Sequence, residues 1–486
     1  MKNKAQLNSI KSENVFDASV DIIKKIKCRE HLANPFLNIL NTTTKSKKQY
    51  PDLFESKGLF WRLMNSCVTS LGVLARSLIY YPNAIKYKQF KASIDIIIVS
   101  HLNSTDSLSD PYDFYFGDIE EKLFNEGYKP HTLLINHCKA SQADEKKLIR
   151  SRTSILPAYL SPLSEAKAIA WMVYSAIKFF EYDGDKAFVN KALLAQFNSR
   201  ALGDYRIGNL IQRHVENFKP KFVLYTFEGH GWERIMLSDC KNMKEPPLSI
   251  GYQHAVVFPG IRCLNYRYGF GANPDEILTT GSYTLSLFKK ETEFKNISIL
   301  GSIKSTNFIF KDKMKFNGAC LIAPEGTIDE VLIMAKFALS AARIIGEQKF
   351  ILRLHPVLSK YKVQKTLAKF GPFPRNFSLS DSKLETDMKV SSWVCYRGSS
   401  MAVQGIMNGL RPIFINADNS FETNDPLPFN LKFRKVVKNA EELNDLISND
   451  KNYPNFGNKE FKIASQFARE YIMPIETKSL FNILKR

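Results

Sequence analysis

Two stretches decide how this chain reads: Lys349-Phe-Ile-Leu-Arg-Leu-His355-Pro356, and Val394-Cys-Tyr-Arg397-Gly398-Ser399-Ser400, the latter followed by residues 401–408 and the apolar run 412–415. The first is a short apolar strand stopped by a proline, which has no N–H to give to a ladder, so His355 stands at the strand's carboxyl edge. In the second, a strand gives way to a glycine and two serines that open a helix, and a further strand follows Gly409. Free N–H groups at a helix start, and the positive end of its dipole, favour an anion there. Ligands of an open parallel sheet bind beyond the carboxyl ends of its strands. Two such edges in one half of the chain therefore predict a nucleotide-phosphate site.

The same alternation extends in both directions. Residues 93–100, 132–136, 221–226, 248–253, 275–280 and 297–301 are apolar runs short enough for buried strands, several with a helix or turn signal behind them. From Gly318 a fresh series starts with strand 319–323, the loop Pro324-Glu325-Gly326-Thr327 and helix 328–345. The economical description is an α/β chain of two Rossmann-like β/α/β domains. Residues 1–90 are expected to form an N-terminal extension with amphipathic helices, 91–310 the first domain, and 311–486 the second domain with terminal helices. Residues 164–217 are apolar at helical spacing and read as two or three core helices.

At 486 residues the chain exceeds what one core normally serves. Its 44% hydrophobic and 12% aromatic content suits globular domains, and a net charge of +20, from 68 basic against 48 acidic residues, points to acidic partners. The lysines are dispersed and no recognition module is present, so nucleic acid is not among them. Seven cysteines, an odd number with no C-x-x-C pair, read as reduced thiols of a cytoplasmic protein and form no zinc pattern. Residues 1–30 are polar and lysine-rich, unlike a secretory signal. The longest apolar stretch, 59–81, is broken by Arg62, Asn65 and Arg76. It reads as an amphipathic helix, either buried or lying on an anionic membrane. The first strand is followed by no G-x-G-x-x-G, and the P-loop, G-x-S-x-G and H-E-x-x-H patterns are missing, as is a D-x-D in a metal-binding setting. No metal and no cofactor are expected.

Candidate residues fall on two sides. On the phosphate side, His355 lies between Arg353 and Pro356, while Gly398, Ser399 and Ser400 open one helix and Glu325, Gly326 and Thr327 open another. Serine and threonine also cap helices there, with the same free N–H groups. On the other side, Glu228 directly follows a strand, and glycines flank His230. A carboxylate there could serve as general base, a role worth about 10²- to 10⁴-fold. Glu233 is the rival carboxylate and His254 a rival base or phosphate ligand. Trp232, His230, Asp106 and Asp110 are the expected acceptor-side residues.

These features resemble bacterial glycosyltransferases of the GT-B fold, above all those using CMP-activated sugars, whose HP and SS motifs hold the CMP phosphate. His355-Pro356 and Ser399-Ser400 stand in those places. Phe227-Glu228-Gly229 answers to the family's acidic-plus-glycine motif that supplies the base, with one acidic residue where the family commonly has two. The chain also resembles the bacterial surface carbohydrate biosynthesis proteins, through Tyr115-Phe-Gly-Asp118, Glu228 with Gly231-Trp232-Glu233, and Gly251-Tyr252-Gln253-His254. The resemblance implies two Rossmann-like domains facing a cleft. It further implies metal-independent, inverting transfer of a sugar, such as a nonulosonic acid from its CMP form, to a surface polysaccharide or lipopolysaccharide. The implied partners are a CMP-linked nucleotide sugar and a glycan or lipid-linked glycan, met at the inner face of the cytoplasmic membrane. CDP-glycerol-type polymerases share the histidine and double-serine edges. A glycerophosphotransferase, a nucleotide-sugar epimerase and a non-catalytic polysaccharide-assembly protein therefore stay open.

Overall fold

The computed structural model describes residues 25, 28–38, 59–87, 93–182, 186–257, 271–305, 314–356, 358, 360–416, 425–428, 430–452 and 458–486. Most of the expected N-terminal extension, including the segment read against a secretory signal, lies outside them, as does Cys263. The six described cysteines are free thiols.

Thirteen strands among the described residues form two wholly parallel sheets. The first comprises β1 (Ile96–Leu102), β2 (Pro130–Asn136), β3 (Thr153–Ile155), β4 (Phe222–Thr226), β5 (Leu248–Gln253), β6 (Glu276–Thr279) and β7 (Ile297–Ile299), in the order β3-β2-β1-β4-β5-β6-β7. The second comprises β8 (Ala319–Ala323), β9 (Phe350–Leu352), β10 (Phe377–Leu379), β11 (Ser391–Tyr396), β12 (Arg411–Ile415) and β13 (Lys435–Val437), in the order β10-β9-β8-β11-β12-β13. Central strands such as β1, β8 and β11 are buried along nearly their whole length, which is why they read as continuous apolar runs. Three edge strands were not expected. β3, β10 and β13 have three residues each and too few apolar positions to show a period.

Local signals set the helices. Ser161 caps the helix Pro162–Ile177 by accepting from the Ser164 N–H, with proline in the first turn. Asn198 caps the helix Ser199–Phe218, which ends at Lys219 in the left-handed conformation. The two sheets bury separate cores. One packs Val99, Ile211, Val223 and Met236, and the other packs Cys320, Met334, Phe350 and Trp393.

The end of the expected second domain, 311–486, makes contacts beyond its own sheet. The Ser302 N–H donates to Met473 O (2.8 Å), the Met473 N–H to Thr280 O (2.9 Å) and the Glu476 N–H to Leu300 O (2.8 Å). The chain thus returns to the first sheet, where the helix Lys478–Leu484 buries Leu480, Ile483 and Leu484 against Ile96, Leu224 and Ile250. Apolar spacing reports that a helix needs a partner, not which domain supplies it. The preceding helix, Asn458–Tyr471, bridges the halves: the Tyr471 ring stacks on Tyr283 at 5.4 Å, and its hydroxyl meets the Val257 N–H at 2.7 Å.

Gly301 makes this crossing possible. Its φ is +87°, and a Cβ there would come within 1.9 Å of the Pro474 carbonyl oxygen. Gly301→Ala is therefore expected to cost about 1–3 kcal/mol in backbone strain alone. A thermal scan will show the lower transition, and an unchanged melting temperature would contradict the account.

Candidate functional site

Parallel pairing levels the carboxyl ends of neighbouring strands. His101 pairs with Ile135, Val99 with Tyr225 and Thr226 with Tyr252. His101 at the end of β1, His137 after β2, Glu228 after β4 and His254 after β5 therefore share one edge. The turn past Glu228 is closed by Gly229, whose φ of +83° is a conformation natural to glycine. His230 follows as the cap of the helix Gly231–Lys241.

Glu228 lies between two imidazoles. Its Oε1 is 3.0 Å from His254 Nε2, and its Oε2 is 3.3 Å from His230 Nε2. Burial alone raises the pKa of this carboxyl, but hydrogen bonding and charge from His230 and His254 outweigh it and hold it well below the usual carboxylate range. Burial also lowers the His230 pKa. The Glu228 carboxylate, helped by Glu233 and Asp204, reverses that and lifts it from 6.5 to about 9. Glu228 is thus a firm anion and His230 a cation at neutral pH.

His101 closes the other side. Its Nδ1 is 2.8 Å from His137 Nε2, and its Nε2 is 2.8 Å from Thr226 Oγ1. Burial first, then the neighbouring His137 and His254, push its pKa well below the ordinary value. A neutral imidazole has one N–H and one lone pair, and these two contacts use both. Tyr115 fills the remaining wall, its ring 4.5 Å from His254 and its hydroxyl accepting from Asn103 Nδ2 at 3.0 Å.

Of the other residues expected on this side, Glu233 is fully buried beneath the loop and accepts the Glu228 and Gly229 N–H groups at 3.0 and 2.8 Å. Burial lifts its carboxyl to about 7. Its carboxylate is thus committed to the N–H groups of its own turn. Trp232 is buried too, edge-on to His101 at 5.8 Å, so it is a floor and not an acceptor surface. Asp106 and Asp110 are exposed on and beside the short 3-10 helix Thr105–Ser109, where Asp106 accepts from Ser104 Oγ (3.3 Å). The structure does not bring them to the histidines.

The second sheet offers His355 and Pro356 past β9, both exposed, with Glu325, Gly326 and Thr327 past β8 and Gly398, Ser399 and Ser400 past β11, all half-buried. Thr327 heads the helix Ile328–Ile344 with no side-chain cap bond. Ser399 Oγ accepts the Met401 N–H at 3.2 Å, and Gln404 Nε2 donates to Ser400 Oγ at 2.9 Å. Arg353 is half-buried, its guanidinium 2.7 Å from Asp387 and 2.8 Å from Ser382 O within its own domain. Among the described residues, no group of three or more His, Cys, Asp or Glu side chains is arranged to hold a metal.

One residue interacts electrostatically with both edges. Lys304 lies on the turn Ile303–Ser305 in the segment between the sheets. Burial lowers its pKa and the Glu228 charge raises it, while Lys304 in turn helps, after burial, to lower the pKa of His355. Lys304 therefore stands within electrostatic reach of both edges. Sequence reading missed it, since a linker lysine carries no pattern. His101 and His137 were missed although each ends an apolar strand, as His254 and His355 do.

The paired charges have a pH signature. The His230 pKa is raised above its unfolded value, so its contribution to stability is complete below about pH 6.5 and is lost as pH rises through about 9. Glu228, held low, contributes above the usual carboxylate range and loses that contribution as pH falls through its depressed value. In a Glu228→Gln variant the His230 pKa is expected to fall by roughly one unit or more. Histidine-selective NMR titration measures this, and a His230 still titrating near 9 in the variant would refute the assignment.

Neither protein-family models nor curated protein sequences give a match to this chain. Among solved structures, it is similar to the Staphylococcus aureus MnaA–UDP co-structure, at 10% identity over 80% of this chain and 95% of that one, with a TM-score of 0.50. Other similar structures are a UDP-GlcNAc 2-epimerase from Neisseria meningitidis bound to UDP-GlcNAc (11% identity, 80% and 100% covered, TM-score 0.46) and the glycosyltransferase SnogD from Streptomyces nogalater (12%, 81% and 100%, 0.45). At such identities the likeness shows the fold, and with the two parallel sheets the chain has the expected GT-B architecture of two Rossmann-like domains facing a cleft.

Proposed function

We propose that this protein is a metal-independent glycosyltransferase that takes a sugar from a nucleotide and passes it to a hydroxyl of a glycan acceptor. The observation that carries the reading is Glu228 held between His230 and His254 at one sheet edge. A carboxylate with so low a pKa is a weak base. The expected role of Glu228 therefore shifts to orienting His254, which accepts the acceptor's proton while the carboxylate stabilises the imidazolium formed. The acceptor oxygen bonds to the anomeric carbon from the face opposite the nucleotide. The bond from that carbon to the phosphate oxygen breaks, and its electron pair leaves with the phosphate. Lys304 and His355 neutralise the departing charge, and the N–H groups near Thr327 and Ser399-Ser400 complete the phosphate side. Within this reading the donor is a CMP-linked nonulosonic acid, the acceptor a surface polysaccharide or lipopolysaccharide, and the setting the cytoplasmic face of the membrane.

The test has two stages. Thermal-shift binding of CMP, UDP and CDP-glycerol identifies the nucleotide, and a shift with CDP-glycerol alone would replace sugar transfer by glycerophosphotransfer. Turnover of a bound nucleotide sugar with no acceptor would make the protein an epimerase. With the donor in hand, His254→Ala is expected to lower kcat about 10²- to 10⁴-fold. Lys304→Met is expected to lower kcat/KM with donor binding also weakened. Full activity in both variants would sink the mechanism.

A further inference from the structure

Two neighbouring helices of the first half are apolar on both sides. The helix Leu59–Tyr80 buries Val73 in the core but leaves Val68, Leu71, Leu78 and Ile79 each about two-thirds exposed. The spacing of Met64, Val68, Leu71, Ala75 and Leu78 places them on one outward face. Beside it, the helix Pro162–Ile177 buries Ala168, Met172 and Ala176 and turns Leu163, Trp171, Tyr174 and Ile177 outward, with Phe180 just beyond. These two helices and that turn hold 12 of the 23 large apolar side chains exposed among the described residues. A contiguous face of this kind marks a surface that something covers.

The charges say what covers it. The helix Leu59–Tyr80 contains no acidic residue. In Pro162–Ile177 the one acid, Glu165, is buried against Arg206 at 2.9 Å. Exposed cations remain at Arg76 and Lys167, while Lys178, over the Tyr174 ring, is paired with Glu181. Aromatic side chains gather at the margin, with Tyr80 stacked on Tyr159 and Trp171 edge-on to Tyr174. Exposed apolar residues beside aromatics and cations, with the one exposed acid, Glu181, paired to Lys178, match the headgroup zone of an anionic bilayer. A second copy fits worse, because a symmetric contact would bring the basic rims of two strongly basic chains together. Among the described residues no helix is long and apolar enough to cross a membrane.

We propose that the outer face of helices Leu59–Tyr80 and Pro162–Ile177 docks the protein on an anionic lipid surface. This inference does not depend on the chemistry of the cleft. Co-sedimentation of the full chain with vesicles of phosphatidylcholine, with and without phosphatidylglycerol, tests it. Binding is expected to the anionic vesicles and to weaken as salt is raised. Leu71→Asp with Trp171→Asp is expected to weaken binding by about tenfold or more with an unchanged melting temperature. Should that pair disturb folding, Arg76→Glu with Lys167→Glu keeps the apolar face and is expected to abolish the preference for anionic vesicles. No vesicle binding by the parent chain, or binding that ignores both variants, would overturn the proposal. So would a dimer, detected by light scattering, that the aspartate variant converts to monomer.

Discussion

Three backbone hydrogen bonds tie residues 473–476 to the ends of β6 and β7 and to Ser302, and the placement of the second domain hangs on them. A linker between two Rossmann-like halves would by itself leave their relative position to a modest interface. Here the chain crosses twice, once outward through Ile303–Ser305 and once back through Met473. The Tyr471 hydroxyl at Val257 and the terminal helix against Ile96 and Leu224 add buried contacts on the first domain. The outward crossing also carries Lys304, which interacts electrostatically with Glu228 and with His355.

The charge cluster at the first edge is costly to bury and is arranged to lower that cost. Glu228 without its imidazoles would be driven toward protonation, and His230 without its carboxylates toward neutrality. Each keeps the other ionised. Glu233 and Asp204, pushed up to about 7 and about 6 by burial, stand behind the loop and add negative potential near His230. Several ionisable groups with pKa values driven apart at one sheet edge are what acid–base chemistry requires. Arg397 with Glu330 at 3.2 Å shows the contrasting case, in which a buried ion pair holds one domain's elements together.

The central strands and long helices were legible because burial on both faces writes an unbroken apolar run and helix packing writes a 3.6-residue period. Glu228, His254 and His355 were legible for another reason: each directly follows such a run. His101 and His137 obey the same rule and needed only its even application. Glu233 and Trp232 look equivalent to Glu228 and His230 in sequence. Helix geometry turns them inward, and no local pattern distinguishes a loop carboxylate that faces a cleft from one that accepts its own loop's N–H groups.

The amino-acid sequence by itself determined the α/β class, the two series of strands and the residues at several carboxyl edges, since these follow from local apolar pattern, turn chemistry and chain direction. Only the tertiary structure decided which side chains gather around Glu228, that the last helix packs on the first sheet, and that a linker lysine is in electrostatic reach of both histidine-bearing edges. Those outcomes depend on contacts between residues up to a few hundred positions apart, whose partners are chosen by shape and hydrogen bonding in the folded chain.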